Sequence, residues 1–284
     1  MTRRLIVTAD DFGMSMEVND AVEEAYRNGI LTCASLVVAG DAAEDAVRRA
    51  KRLPKLGVGL HLAMFGAPAS ASEPSILAPD GANLGQSPVV TGVAVMVSPR
   101  ARKAAEREFA AQFDAYRKTG LPLGHLDGHW HCHQHPAVLA IALRLGKPLG
   151  LRAVRIPYEP YSFSRDVGDG SKPIARLLHA FSHWPLTRAM RWQVRNAGMA
   201  ANDRFFGKTD NGAIDEKLLL RFVAKLPSGV TELGLHPSTV NWHGPHAPPA
   251  DWQVAQELTA LTSPALRAAI DEHGVTLSRW ADLA

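Results

Sequence analysis

Short apolar runs alternate with helix-like stretches along the first part of the chain. Leu5–Ala9, Ala34–Val38 and Val58–Leu62 are brief and rich in aliphatic residues, and each is bounded by polar residues or glycine. This pattern is typical of buried strands. The stretches between them are longer and mix charged with apolar residues, as surface helices do. The alternation predicts an α/β fold built on a mostly parallel sheet.

The same patterns continue to the end of the chain. Gly66–Gln86, rich in Ala, Ser, Pro and Gly, is predicted as a loop, and Tyr158–Arg204 has no clear pattern. Further strands are predicted at Gly124–Asp127, Val154–Pro157, Thr231–Leu235 and Val275–Leu277. Helices are predicted from a cap at Ser15 or Asn19 to Asn28, and at Ala42–Leu53, Ala101–Thr119, Ala137–Gly146, Leu218–Leu226 and Pro264–His273.

Composition and charge narrow the function classes. The chain has 284 residues, and its net charge of +3 is too small to indicate a nucleic-acid partner. Its two cysteines, Cys33 and Cys132, are too few for a disulfide scaffold and are expected to be free thiols. The first apolar run is too short for a signal sequence, and no run reaches the roughly 18 apolar residues of a membrane span. We therefore expect a cytoplasmic protein, of an oligomeric state that the pattern does not indicate.

The polar residues that suggest chemistry follow the predicted strands. Asp10-Asp11 follows the first strand, His61 lies in the third, the block 125–135 comes with the next, and His236 ends a late one. In a parallel α/β barrel, the loops after the strand ends form one face, where sites are built. The four features are therefore expected to converge.

The histidine block is the strongest metal signal. His125, Asp127, His129, His131, His133 and His135 fall within eleven residues. If this segment were extended, His129, His131 and His133 would share one side. Imidazole suits zinc and several other divalent cations. The alternative is a solvated loop whose histidines cap backbone groups.

The Asp10-Asp11 pair suggests a division of labour. Adjacent residues at a strand end point in different directions, so one carboxylate can bind a metal while the other remains a base. A carboxylate with two histidines leaves coordination positions open, as a hydrolytic site requires. Alternatively, both aspartates cap the following helix. His61 and His236 are each equally compatible with a core histidine, although His236 also suits a general acid.

Together these residues resemble the YdjC-like carbohydrate deacetylases. The resemblance is carried by 8–13 (TADDFG), 58–62 (VGLHL), 125–133 (HLDGHWHCH) and 235–237 (LHP), which run in order over most of the chain. It departs from the family pattern at Gly128, where serine is usual, and at Trp130 and Cys132.

The resemblance implies a fold, a cofactor and residue roles. It implies a distorted (β/α) barrel of the polysaccharide-deacetylase-like type, expected here as a single domain over 1–284 with a helical insert at about 158–207. It implies one divalent metal ion, magnesium or zinc, and hydrolysis of the acetamide of an N-acetylated amino sugar. The implied roles are metal ligands at Asp11, His61 and His129, a general base at Asp10, a general acid at His236, and supporting or substrate contacts at Asp127, His131, His133 and Arg155. His133 is the second choice for the histidine ligand of the block.

The substrate prediction depends on a basic segment. No acidic residue lies between Asp169 and Asp203, whereas lysine, arginine and large apolar residues are interleaved there. This favours either docking on an anionic membrane or a pair of helices packed on the barrel. With 155–160 (RIPYEP) and 205–207 (FFG), the segment resembles the hopanoid-biosynthesis-associated branch. That resemblance implies an N-acetylglucosaminyl hopanoid lipid and peripheral contact with the inner membrane.

Three other functions remain open from the sequence. One is a soluble chitooligosaccharide deacetylase, which would act on short N-acetylglucosamine oligomers in water. The second is a sugar- or metal-binding protein without catalysis, against which the presence of Asp10 argues. The third is a metal-dependent phosphoesterase, which the lack of a glycine-rich phosphate loop disfavours.

Overall fold

Parallel strands form the centre of the molecule. The computed structural model describes residues 2–168, 170 and 172–283, and only the backbone of residue 182. Within these ranges the sheet has seven strands in the order β4-β3-β2-β1-β6-β5, with β7 paired to β1. The strands are β1 (Arg3–Phe12), β2 (Cys33–Leu36), β3 (Gly57–Leu62), β4 (Leu126–Gly128), β5 (Arg204–Phe206), β6 (Gly229–Leu235) and β7 (Val275–Leu277).

Helices follow the strands and cover the sheet. They are α1 (Met16–Asn28), α2 (Ala43–Arg52), α3 (Pro88–Val97), α4 (Pro99–Thr119), α5 (Pro136–Gly146), α6 (Tyr161–Val167), α7 (Pro173–Asn196), α8 (Glu216–Ala224), α9 (Val254–Leu261) and α10 (Pro264–Glu272). Short 3-10 segments occur at His129–Gln134, Lys147–Leu149 and Trp280–Asp282. None of the described helices combines the length and the apolarity that a membrane crossing needs.

The sheet curls into a distorted barrel that irregular backbone closes. Residues 152–158 lie between the two ends of the ladder. The N–H of Arg155 donates to the carbonyl of Leu126, and the N–H of Val154 donates to the carbonyl of Ala200, both over 3.0 Å. On the other side, β5 pairs in parallel with β6. The predicted α/β class and distorted (β/α) barrel are therefore confirmed.

One local prediction was wrong, and three elements, α3, α9 and β5, were not predicted. Val154–Pro157 makes only isolated bridges and is not a regular strand, because Pro157 has no N–H to extend a ladder. The helix α3 was not predicted, because its almost uniformly apolar sequence has no helical alternation of polar and apolar residues. The remaining predicted strands and helices are present, with ends shifted by a few residues. The insert contains α6 and α7, and Asp169 and Ser171 within it lie outside the described residues.

β1 organises the core and the site. Residues 5–10 of this strand are buried, which fits a barrel strand with helices on its outer face and side chains of other strands on its inner face. Ser15 then caps α1 by accepting the N–H of Val18, as the sequence predicted for one of two candidate caps. The strand thus leads from the core directly into the loop where Asp10 and Asp11 lie.

Candidate metal centre and active site

The two aspartates at the end of β1 are separated by an irregularity in the strand. The register between β1 and β2 shifts between Ala9 and Phe12, and Asp11 has a φ of 61°. A left-handed conformation at a residue other than glycine costs roughly 1–3 kcal/mol and tends to occur at functional sites. It turns Asp11 towards the barrel opening, while Asp10 remains in the buried strand.

Asp11 lies against two histidines from other strands. Its Oδ1 is 2.9 Å from Nδ1 of His129 and 3.4 Å from Nε2 of His61. These three side chains offer ligand atoms that all lie within 4.8 Å of one another. Burial alone would raise the pKa of Asp11, but His129, His236 and His61 together hold it below its usual range. The structure therefore brings together the three residues that the sequence suggested as metal ligands.

His61 is held in place from its far side. Its Nδ1 lies 2.8 Å from Oδ1 of Asp127, which fixes the ring and leaves Nε2 directed at Asp11 and His129. Nε2 is buried and has no hydrogen-bond partner. Burial by itself would lower the pKa of His61, yet the carboxylates of Asp127, Asp10 and Asp11 raise it to about 9.

Asp127 is itself fully engaged. Its Oδ2 accepts a hydrogen bond from Oγ of Ser35 at 2.5 Å and forms an ion pair of 2.8 Å with Arg155. Burial alone would raise the pKa of Asp127, but the charges of Arg155 and His61 hold it well below its usual range. The contact expected of Asp127, orientation of a histidine, is present in the structure.

Arg155 is buried at the centre of three carboxylates. It donates two parallel hydrogen bonds to Asp10, of 2.7 and 2.8 Å, and two more to Oε1 of Glu232, of 3.0 and 2.8 Å. The ion pair to Asp127 is the third contact. From the sequence, Arg155 could orient Asp10, bind the sugar, or be an ordinary surface or packing arginine. The contact to Asp10 is present, and a surface position is wrong because the side chain is fully buried.

Glu232 was not identified from the sequence. Its Oε1 accepts a hydrogen bond from Thr8 as well as those from Arg155. Burial raises the pKa of Glu232, although Arg155 acts against the rise. The only signal was a charged residue within the apolar strand β6, and its partner could not be inferred without the barrel topology.

The histidine block does not run as an extended segment, so the condition under which its alternate histidines would share one side is not met. His129–Gln134 forms a 3-10 segment in which Trp130 and His131 both have positive φ, at 49° and 56°. The chain reverses, so the three alternate histidines diverge. His129 contacts Asp11, whereas Nε2 of His133 lies 3.1 Å from the carbonyl oxygen of Arg155.

His131 and His133 therefore lie apart from the three candidate ligands. The ring of His131 packs edge-on to Phe205, with centroids 5.2 Å apart. Burial, with nearby cations, lowers the pKa of both histidines, that of His133 to about 4. At Gly128, a Cβ atom would lie 2.9 Å from both Cys132 Sγ and His133 Nδ1, so this tight turn has no room for a serine without a shift.

His236 stands opposite the aspartates. Its Nε2 is 4.0 Å from Oδ2 of Asp10 and 3.9 Å from Oδ2 of Asp11. Its ring packs on Trp252, and its backbone N–H donates to Oε2 of Glu257 over 2.7 Å. Burial lowers the pKa of His236, with the two aspartates opposing the shift.

A cavity of about 550 Å³ opens over these groups. Asp10, Asp11, His129 and His236 form one part of its wall. Other lining residues, not identified from the sequence, are Trp130, His179, His183, Lys208, Asn211 and Trp252. They come from the histidine block, α7, and the loops after β5 and β6, which only the folded chain brings together. Burial lowers the pKa of Lys208 to about 8, and its ammonium has no partner among the described residues.

Comparison with known proteins agrees with this architecture. A "Carbohydrate deacetylase" of Mus musculus is 31% identical over 304 residues, covering 99% of this chain and 94% of that protein. One of Brevibacillus brevis is 40% identical over 157 residues, covering 55% of this chain and 60% of that protein. A solved structure from Enterococcus faecalis V583 covers both chains fully, with a TM-score of 0.72 at 20% identity, and so supports the fold alone. The family described as YdjC-like protein matches residues 4–272, and the chain therefore belongs to the YdjC-like family.

Proposed function

We propose that the protein is a metal-dependent carbohydrate N-deacetylase, which hydrolyses the acetamide of an N-acetylated amino sugar. The observation that carries the proposal is the convergence of Asp11, His61 and His129 beside a separate carboxylate, Asp10, at the base of one cavity. Relatives that align over almost the whole chain bear the name "Carbohydrate deacetylase".

The three side chains suit a divalent cation. Nε2 of His61 is a buried nitrogen without a hydrogen-bond partner. It faces the carboxylate of Asp11 and the ring of His129. A cation bound there would polarise the acetamide carbonyl and lower the pKa of a water molecule. Two imidazoles and one carboxylate favour zinc over magnesium, which prefers oxygen ligands.

A second group of potential ligands is less suitable. Asp10, His61 and Asp127 also lie within reach of a common point. However, Arg155 already forms ion pairs with both of these aspartates, and its guanidinium would repel a cation at that point. We therefore assign the metal to the first group and leave Asp10 free for proton transfer.

Asp10 is the proposed general base. Arg155 holds both of its oxygens, so that the carboxylate has one orientation and faces the cavity beside Asp11. In the reaction, Asp10 accepts a proton from water as the oxygen attacks the acetamide carbonyl carbon. The carbon–nitrogen bond then breaks, which gives acetate and the free amine.

His236 is the proposed proton donor to the leaving nitrogen. It faces both aspartates across the cavity, and Trp252 and Glu257 fix its ring and its backbone. When His236 carries a proton, its imidazolium can donate that proton to the nitrogen as the carbon–nitrogen bond breaks. The proposed base, Asp10, and the proposed proton donor, His236, thus lie on opposite sides of the same cavity.

We further propose that the sugar is lipid-linked, as in an N-acetylglucosaminyl hopanoid, and that the basic segment of α7 contacts the membrane. Not all of its arginines are available for this. Arg176 is buried and paired with Asp210, and Arg191 donates to backbone carbonyls of the segment after α7. Arg188, which stacks on Trp184 at 4.9 Å, and Arg195 are exposed. These two support the proposal.

A soluble chitooligosaccharide is the second candidate substrate. Trp252 and the polar groups of Lys208 and Asn211 line the cavity, and aromatic rings with hydrogen-bonding groups suit a hydrophilic sugar. This part of the wall is compatible with an oligosaccharide as well as with the sugar of a glycolipid.

Acetate release tests the function and separates the two substrates. Zinc-reconstituted protein is incubated with N-acetylglucosaminyl bacteriohopanetetrol in detergent or with diacetylchitobiose in buffer. Acetate from the lipid alone supports the lipid-linked proposal, and acetate from the disaccharide alone supports the soluble alternative. No acetate from either, with metal bound, contradicts the deacetylase proposal. For membrane contact, Arg188→Gln with Arg195→Gln should weaken vesicle binding, whereas Arg117→Gln, at an exposed position of α4, should not.

A further inference from the structure

The helix α3 exposes an apolar surface that the proposed reaction does not use. Its ten residues, PVVTGVAVMV, contain no charge. Five large side chains are exposed: Val89 (75%), Val90 (69%), Val93 (57%), Met96 (52%) and Val97 (71%). Only Thr91 and Val95 are buried. A contiguous apolar surface of this kind marks an interaction site more often than a plain protein surface.

A second apolar surface lies on α7. Ile174, Leu178 and Phe181 are exposed and follow helical spacing, with Leu177 and Trp184 beside them. Trp130, 63% exposed, lies in the kinked histidine block.

Both helices border the same opening. Pro88 at the start of α3, Trp130, and His179 and His183 of α7 all line the 550 Å³ cavity. His179 and His183 lie on the opposite side of α7 from Ile174 and Phe181, so the apolar side chains of α7 form the outer side of a helix whose inner side lines the cavity.

The charged residues within the two stretches that contain α3 and α7 have one sign. No acidic residue occurs from 81 to 105 or from 170 to 202, the stretches that contain α3 and α7. Arg100 and Lys103 follow α3 and are exposed, and Lys172, Arg188 and Arg195 are exposed along α7. Aliphatic and tryptophan side chains with basic neighbours are the composition of helices that lie in a membrane interface.

We propose that α3, Trp130 and the exposed apolar side of α7 form one lipid-facing surface, which docks on an anionic bilayer with the cavity entrance towards the headgroups. At ten residues, α3 is too short to cross the bilayer and would lie in its interface. A symmetric contact with a second copy would bring the basic neighbours together, and like charges disfavour it. An anionic lipid surface complements both the apolar and the basic residues.

The proposal deepens the lipid-linked substrate proposed above, and it adds α3 as the inserting element. Its test measures binding and not turnover, so the two can fail separately. If lipid binding is found and no acetate is released, the surface assignment stands while the reaction assignment fails. If acetate is released and no lipid binding is found, the reaction assignment stands while the surface assignment fails.

Vesicle sedimentation tests the surface directly. Wild-type protein is expected to sediment with phosphatidylglycerol-containing vesicles, and less with pure phosphatidylcholine vesicles or at high salt. Val90→Gln, Val93→Gln and Val97→Gln together, on one side of α3, should weaken binding by at least about tenfold, because the inserted apolar area is lost. The matched control is Ile76→Gln with Val240→Gln, two exposed apolar residues outside α3 and α7, which should bind as the wild type does.

A fluorescent label distinguishes insertion from a loose contact. Cys33 and Cys132 are buried, so an environment-sensitive dye can be attached selectively to Val93→Cys. Its emission should shift to the blue on anionic vesicles, and a dye on Ile76→Cys should not shift. The proposal is overturned if the label on residue 93 remains in water while vesicles bind, or if wild-type protein binds no vesicles. It is also overturned if the triple substitution converts a dimer into a monomer, because the surface would then join two copies.

Discussion

Arg155 forms ion pairs with more carboxylates of the site than any other side chain described above. Its guanidinium is fully buried and satisfies Asp10, Asp127 and Glu232 at once. A buried cation of this kind contributes stability only because its partners remain, and removing it leaves uncompensated carboxylates in the core. The residue that orients the proposed base is therefore also a requirement for folding.

Replacement of this guanidinium is expected to be costly. We expect Arg155→Met to lower the free energy of unfolding by about 3–5 kcal/mol, because three buried carboxylates lose their counter-charge. Urea denaturation measures the loss. Arg117→Met removes an exposed pair with Asp114 and should cost far less, because solvent screens that pair. Equal losses in the two variants would contradict this account of Arg155.

Asp127 should control metal affinity without binding the metal. We expect Asp127→Asn to weaken zinc binding by about 10–100-fold, because His61 loses the charged partner of its Nδ1. Competition with a chromogenic chelator measures the change. Ser35→Ala removes a hydrogen bond to the other oxygen of Asp127 and leaves the His61 contact intact, so its affinity should change little. If the two variants bind zinc equally well, His61 does not depend on Asp127 in this way.

Sequence reasoning correctly placed those site residues whose position depends only on the end of a strand. Asp11 and His61 lie at the carboxyl ends of β1 and β3, which β2 separates, and the carboxyl ends of parallel strands meet at one edge of the sheet. The roles of His131 and His133 could not be predicted in this way, because two positive φ angles reverse the block. Glu232 could not be assigned either, since its role depends on the opposite side of the barrel.

At the scale of elements, α9 supports the proposed proton donor. Glu257 of this helix is fully buried, and its Oε2 accepts the backbone N–H of His236. Burial raises the pKa of Glu257 to about 7 from a model-compound value of 4.5, although backbone donors oppose the rise. The folded protein therefore keeps a proton that the unfolded chain releases between pH 4.5 and 7.

This difference predicts a pH dependence of stability. The stabilising effect of protonated Glu257 is complete below pH 4.5 and is lost as the pH rises to 7, by up to about 1.4 kcal/mol per pH unit. Glu257→Gln removes this titration, so the variant should gain stability relative to the wild type over that window. Urea unfolding at a series of pH values measures the difference. A constant difference between the two proteins across the window would contradict the burial of an ionisable Glu257.

The sequence predicted those elements whose own pattern of polar and apolar residues is sufficient to identify them. β1 and α4 have clear apolar runs or amphipathic periodicity, and both formed. α3 has no such signal, because a uniformly apolar helix shows no periodicity. The apolar run at Val154–Pro157 predicted a strand where only isolated bridges form. The segment 158–207 showed a basic composition but no clear helical pattern, because α7 depends on packing against α5 and α6.

At the scale of the whole molecule, a bound metal would connect three strands of the barrel. Zinc at about 100 times its dissociation constant should raise the free energy of unfolding by roughly 2.7 kcal/mol, through binding to the folded state alone. Asp11→Asn should largely abolish this gain. His133→Gln should retain it, because His133 contacts the carbonyl of Arg155 and not the three ligands. Thermal or urea unfolding with zinc and with a chelator measures the gain in stability. If His133→Gln loses this gain, His133 is a metal ligand and the assignment to the three residues is wrong.

Acetate release by Asp10→Asn tests the central claim most directly, namely that a metal at Asp11, His61 and His129 acts with a separate base. Wild-type protein and Asp10→Asn are loaded with zinc, their metal content is measured, and acetate is followed from an N-acetylated amino sugar that the wild type hydrolyses. We expect the variant to bind zinc as the wild type does and to lose about 10²–10⁴-fold in rate, because its amide cannot accept the proton. If it hydrolyses the substrate at the wild-type rate, Asp10 is not the base. If it loses zinc together with activity, Asp10 is a metal ligand, and the division of labour between the two aspartates is wrong.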